Sequence, residues 1–140
     1  MDKKLKQAIA KSAKAMYHAL PVLIGVLLLL SLASALIPKS IYSSLFSKNI
    51  FLDSIIGSGL GSILAGNPIT SYIIGGEFLK QGISLAAVTA FIVAWVTVGL
   101  VHLPAEIMLL GKKFAITRNL TAFVLTVIVA LITASIVGLL

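Results

Sequence analysis

Three groupings of polar residues in this chain have the types and spacing to do chemistry. The first is Gly66-Asn67-Pro68, followed at once by Thr70 and Ser71. Gly is favoured just past a helix end, Asn caps a helix start and Pro suits the first helical position, so one helix stops here and another begins. The new helix start directs free N–H groups and about half a positive charge toward Asn67, Thr70 and Ser71, while the old helix end offers carbonyls. Transporters use such interrupted helices to bind solutes or ions, because irregular backbone inside a bilayer survives only in a polar cavity or within protein. A Pro-stabilised kink packed against its neighbours is the plainer alternative.

The second grouping is Glu77 in an apolar setting, a candidate for coupling or gating. A carboxylate deep in a membrane costs roughly 2.5 to 3.5 kcal/mol on insertion scales, so it implies a solute, a proton or a cation unless it reaches the interface. The third is His102 and Glu106, four apart with Pro104 between them, which share a helix face if the chain bends favourably and would form a titratable gate. Glu106 also suits the first turn of a helix begun by Pro104, where the dipole favours acid. Two ligands do not make a metal site, the H-E-x-x-H signature is absent, and no phosphate loop or G-x-S-x-G elbow occurs. No metal, cofactor or enzymatic activity is expected. Asp53 reads as an interfacial charge at a helix start, Trp95 as packing or lipid contact, and His18 as an interfacial residue.

The elements that must position these groups follow from composition. Of 140 residues 59% are hydrophobic and 11% charged, against roughly 25% charged in an average soluble domain. Four stretches, 15–38, 54–76, 81–105 and 119–140, carry no Asp, Glu, Lys or Arg, and about 20 apolar residues suffice to span a bilayer core. Long runs of Leu, Ile, Val and Ala without alternation exclude a barrel, which leaves an all-α integral membrane protein. The net charge of +7 lies beside apolar segments, where basic flanks are expected, so nucleic acid is not an expected partner. With no cysteine, disulfides and thiol chemistry are excluded. A basic amino terminus before an apolar core, with Ala33-Ser34-Ala35 after it, resembles a signal peptide; the length of the apolar stretch favours a retained span.

The expected organisation is a single membrane domain. Residues 1–15 form a basic interfacial helix, 16–37 span one, 39–48 an amphipathic surface segment, 51–80 a broken re-entrant hairpin, 83–111 span two, and 119–140 span three. Span two is long for one helix and is expected to kink at Pro104, with Gly99 a further weak point; a second hairpin there is the alternative. The two halves of 51–80 reach only about 22 and 18 Å, short of the ~30 Å core. If 51–80 returns to its own side, eight basic residues (Lys3, Lys4, Lys6, Lys11, Lys14, Lys112, Lys113, Arg118) face three (Lys39, Lys48, Lys80). If it crosses, the split is six to five, which is nearly no bias. The positive-inside rule therefore favours the hairpin, three crossings and a cytoplasmic N-terminus in the cell membrane.

The run from Gly61 through Asn67-Pro68 to Tyr72, with Gly75-Gly76-Glu77-Phe78-Leu79-Lys80-Gln81-Gly82, Thr89-Ala90-Phe91-Ile92 and the second Pro site at Leu103-Pro104, resembles one repeat of the predicted-permease family that includes organoarsenical efflux permeases. The resemblance covers about residues 57–140. It implies a half-size permease whose broken hairpin forms a substrate site for a small solute or ion, completed by a second copy or a related half inserted the other way. Family members that handle arsenicals carry cysteines near the first break, where this chain has Ala65, Gly66 and Asn67, so the resemblance does not extend to trivalent arsenic. The rival expectation is a membrane subunit that assembles with another protein and transports nothing.

Overall fold

The structure, a computed structural model, describes residues 3–36, 44–47, 49–64 and 68–139. Most of the surface segment expected at 39–48, and Gly66 and Asn67 of the first break, lie outside the described residues. Those described are helical, with no strand among them. The chain divides into two compact units, Met1–Ile37 and Pro38–Leu140.

The first unit is one helix, α1 (Lys3–Leu36), with Pro21 inside it. The basic segment and the first expected span are thus continuous and not two elements.

Among the described residues the second unit holds α2 (Ile50–Ile63), α3 (Pro68–Lys80), α4 (Leu85–Thr97), α5 (Leu103–Leu110) and α6 (Lys112–Val137). Asn49 starts α2 by accepting from the N–H groups of Phe51 (3.0 Å) and Leu52 (3.4 Å), the arrangement that satisfies orphan donors at a helix start. Leu64, in extended conformation, ends it. Pro68 is the first residue of α3, where its missing N–H costs nothing. The four-residue turn 81–84 reverses the chain through Gly82 at φ 87, a region open to Gly at no steric cost. Ser84 then caps α4 by accepting from the Ala87 N–H at 3.3 Å.

Helices α2 and α4 run parallel and very close together. A methyl group placed on Gly57 would collide with the Ala87 carbonyl oxygen, and one on Gly61 with that of Phe91. Rising numbers meet rising numbers, so both helices leave the same end of the unit. Helix α3, joined to α4 by so short a turn, returns to that end and packs on α4; among the described residues it makes no packing contact with α2. Segment 51–80 is therefore a hairpin whose two feet lie together, with Phe46, Ile83, Ala87 and Val88 forming the core at the feet, flanked by Ile56 and Phe78.

The kink expected in 83–111 is a full interruption. Helix α4 ends at Thr97, the chain turns through 98–102, and Pro104 occupies the first turn of α5. A proline there lacks the N–H it would need in a continuous helix, and the freed backbone groups are bonded elsewhere. Gly111, at φ 87, reverses the chain into α6, which packs against α2, α4 and α5. Helix α6 starts seven residues before the expected third span and is, among the described residues, the one helix long and apolar enough to cross a membrane.

Candidate functional site

The end of α2 meets the second break. The N–H of Leu100, in that break, donates to the carbonyl of Ser62 at the end of α2, at 3.2 Å. Helix α6 gives the level of this contact. The Thr97 and Thr126 hydroxyl oxygens are 3.3 Å apart. Since Thr97 already donates to the Val93 carbonyl at 2.7 Å, its one hydrogen is spent and Thr126 is the donor. The N–H of Gly99 donates to Asn119 Oδ1 at 2.9 Å. At 1.5 Å per residue Asn119 and Thr126 lie about 11 and 21 Å along a helix of about 39 Å, so the second break lies between about a quarter and a half of the way along α6. The pairings of Thr97 and then Gly99 descend on α6 as the chain leaves the end of α4, which makes the two helices antiparallel.

A network of side chains satisfies the second break. Asn119, buried to 5% exposure, also donates through Nδ2 to Glu106 Oε2 at 2.8 Å and to the Ala115 carbonyl at 3.0 Å. Arg118 bonds the other Glu106 oxygen and reaches the Thr97 carbonyl at 3.4 Å. A buried polar group left unpaired costs about 1 to 3 kcal/mol, and here the broken helix leaves a donor at Gly99 and an acceptor at Thr97 that α6 answers in turn.

Against this geometry the expected site residues separate. Pro68, Thr70 and Ser71 open α3; Pro68 is exposed, whereas Thr70 and Ser71 are buried, and the Ser71 hydroxyl donates to the Pro68 carbonyl at 2.7 Å. Glu77 belongs to the hairpin feet, near the helix end, where it pairs with Lys80 at 3.4 Å and accepts from Gln81 Nε2 at 3.2 Å. The breaks lie at the far end of the hairpin. His102, exposed, precedes α5 without capping it, and Glu106 turns both oxygens to Arg118 and Asn119 in place of a pairing with His102. Pro104 positions Glu106 by starting α5. Trp95 stacks edge to face on Phe91 with ring centres 5.4 Å apart, so the packing expectation suits it.

Sequence reasoning missed four residues of this region. Asn119, Arg118, Thr97 and Thr126 had one signal between them: an Asn at the head of a long apolar run implies a partner for its amide. Asp53 was also underrated. It is buried to 1% at the hairpin feet, where it accepts from the Ser47 N–H at 2.8 Å, the Ser47 hydroxyl at 3.3 Å and the Ser84 hydroxyl at 3.4 Å.

Beside the breaks opens a cleft of about 240 Å³, whose lining includes Ser62, Leu100, Leu103, Asn119, Leu120 and Phe123. Its walls are almost wholly apolar, with Ser62 and Asn119 the polar residues among those that line it. Among the described residues no three of His, Cys, Asp or Glu gather as metal ligands. No family model, curated protein or solved structure matches the chain.

Proposed function

We propose that the chain is a half-size permease subunit that spans the membrane three times, with its N-terminus in the cytoplasm, and forms a path for a small solute or ion when two halves associate. The observation that carries this reading is the meeting of the end of α2 with the second helix break beside an open cleft, bridged from the Leu100 N–H to the Ser62 carbonyl. Helix ends in mid-bilayer are tolerated where they face protein or a cavity, and membrane transporters bind their cargo at such ends. Three crossings follow if α1, the α4–α5 pair and α6 each traverse while α2 and α3 re-enter. Helix α6 has the length and composition for it, and residues 15–36 of α1 carry no charge.

In this reading Gly66, Asn67, Pro68, Thr70 and Ser71 approach the solute from the first break. Glu106, Pro104 and His102 flank the second break, where the Glu106–Arg118 pair holds α5 to α6, and Glu77 works from the hairpin feet. A path needs a second wall, which a second copy or a related half, inverted in the membrane, would supply. The resemblance of residues 57–140 to a permease repeat points the same way.

The chain has no cysteine, so Ser62→Cys and Leu120→Cys report the cleft directly. In proteoliposomes both are expected to react with a membrane-impermeant methanethiosulfonate reagent, and Asn67→Ala to lower the flux of whichever solute is carried. Unreactive cysteines in a correctly folded protein, together with no flux for any ion or small solute and a stable hetero-complex, would leave the assembly-subunit reading.

A further inference from the structure

Helix α1 carries two faces that the transport reading leaves unused. At 100° per residue, Lys3, Lys4, Lys11 and Lys14 fall within an arc of roughly 100°, and Leu5, Ile9, Met16 and Leu20 within an arc of roughly 60° centred on the opposite side, with Lys6 at the border about 60° from both Lys3 and Ile9. The eight of the two faces are exposed, the apolar ones to between 49% and 67%. Asp2, just before α1, is the one acidic residue before Asp53, so the five lysines leave the segment strongly basic. At 34 residues the helix is about 51 Å long, whereas a bilayer core takes about 30 Å. The uncharged residues 15–36 account for about 33 Å of it, so the two-faced segment begins where the core ends. Pro21 removes the helical N–H partner of the Tyr17 carbonyl just inside that boundary and leaves the helix easiest to bend there.

We infer that residues 3–16 lie along an anionic lipid surface, with the lysine face on phosphate headgroups and Leu5, Ile9 and Met16 entering the acyl boundary. A helix that is basic on one side and apolar on the other satisfies both faces at once in the interface. Charge complementarity selects the lipid: each lysine gains near an anionic surface and gains little near a zwitterionic one. An upright segment would instead hold Lys3 and Lys4 about 17 Å from the boundary, well beyond the ~8 Å Debye length, with its apolar stripe in water. The inference needs the chain in a membrane, not transport, so it stands or falls separately from the permease reading.

Full-length protein carrying Ile9→Cys, labelled with an environment-sensitive fluorophore, is reconstituted in vesicles of phosphatidylcholine alone or with about one-third phosphatidylglycerol. The label at position 9 is expected to shift to the blue in the anionic vesicles, and to return toward the neutral-vesicle value in high salt. A label at Gln7→Cys, on the lysine face, should stay in a polar environment in both. Changing Lys3, Lys4, Lys11 and Lys14 to Gln, all exposed and all near-equal in helix propensity, should weaken docking by up to ~1000-fold. Position 9 in water in both vesicles would overturn the inference. So would burial that ignores both lipid charge and the lysine changes, an outcome that assigns the apolar stripe to a protein partner such as a second copy.

Discussion

Asp53 joins three pieces of chain at the hairpin feet: its own helix, the segment that precedes it through Ser47, and the cap of α4 through Ser84. Its burial makes the bonds matter, since hydrogen bonds to a charged group contribute about 1.5 to 3 kcal/mol each and water cannot replace them. Asp53→Ala is expected to destabilise the protein by on the order of 3 kcal/mol, and Asp53→Asn, which keeps one acceptor, by about half as much. Thermal denaturation followed by far-ultraviolet circular dichroism in detergent checks this; equal stability of the three proteins would reduce Asp53 to an interfacial charge. Asn119 plays the matching part at the second break, with its oxygen on Gly99 and its amide on Glu106. Ser58 differs from both: it is fully buried, and its hydroxyl has no partner among the described residues.

At the scale of the elements, the contact of α2 with α4 decides the architecture. Glycines at 57 and 61 let one backbone rest on the carbonyls of the other, opposite the small, buried Ala87 and Ala94. Small-residue stripes permit this approach, and with it dispersion contacts along the length of the two helices. Gly57→Ala and Gly61→Ala each push a methyl into backbone, which has no rotamer to yield, and should cost about 1 to 3 kcal/mol or more. Gly59 points to open space, so Gly59→Ala should be neutral or stabilise by about 0.5 to 1 kcal/mol through helix propensity. Unfolding of the three variants in one detergent tests the contrast. A Gly57→Ala protein as stable as Gly59→Ala would mean that the two helices are not packed this closely.

For the whole molecule, the consequence is where each loop emerges. The feet of the hairpin share an end, the end of α2 lies beside the second break, and α6 starts at the opposite end. Single cysteines at Ile50 and Lys80 should therefore label from one side of a sealed vesicle, and one at Lys113 from the other, since all three positions are exposed. Lys80→Cys labelling from the same side as Lys113→Cys would mean that the hairpin crosses, and the contact of α2 with the second break would be lost with it.

How much of this was legible depends on the range of the interactions. Local rules sufficed for the break at Pro68, because capping and proline preferences act within a few residues. Local rules also identified the apolar helices, and the asymmetry of basic residues was enough to favour a returning hairpin. Residue contacts at long range were not legible. Nothing near Asp53 announces Ser84, 31 residues on, and nothing near Gly99 announces Asn119. The pairing expected of His102 with Glu106 followed helix periodicity correctly and lost to a better partner, a guanidinium delivered by the reversal at Gly111. The amino-acid order alone thus determined an all-helical chain with a broken segment and its apolar stretches. Which break lies beside which, and which polar side chain answers each interrupted helix, was decided only when α2, α4 and α6 packed, because a backbone group released from its own helix takes whatever partner the packing brings within about 3 Å.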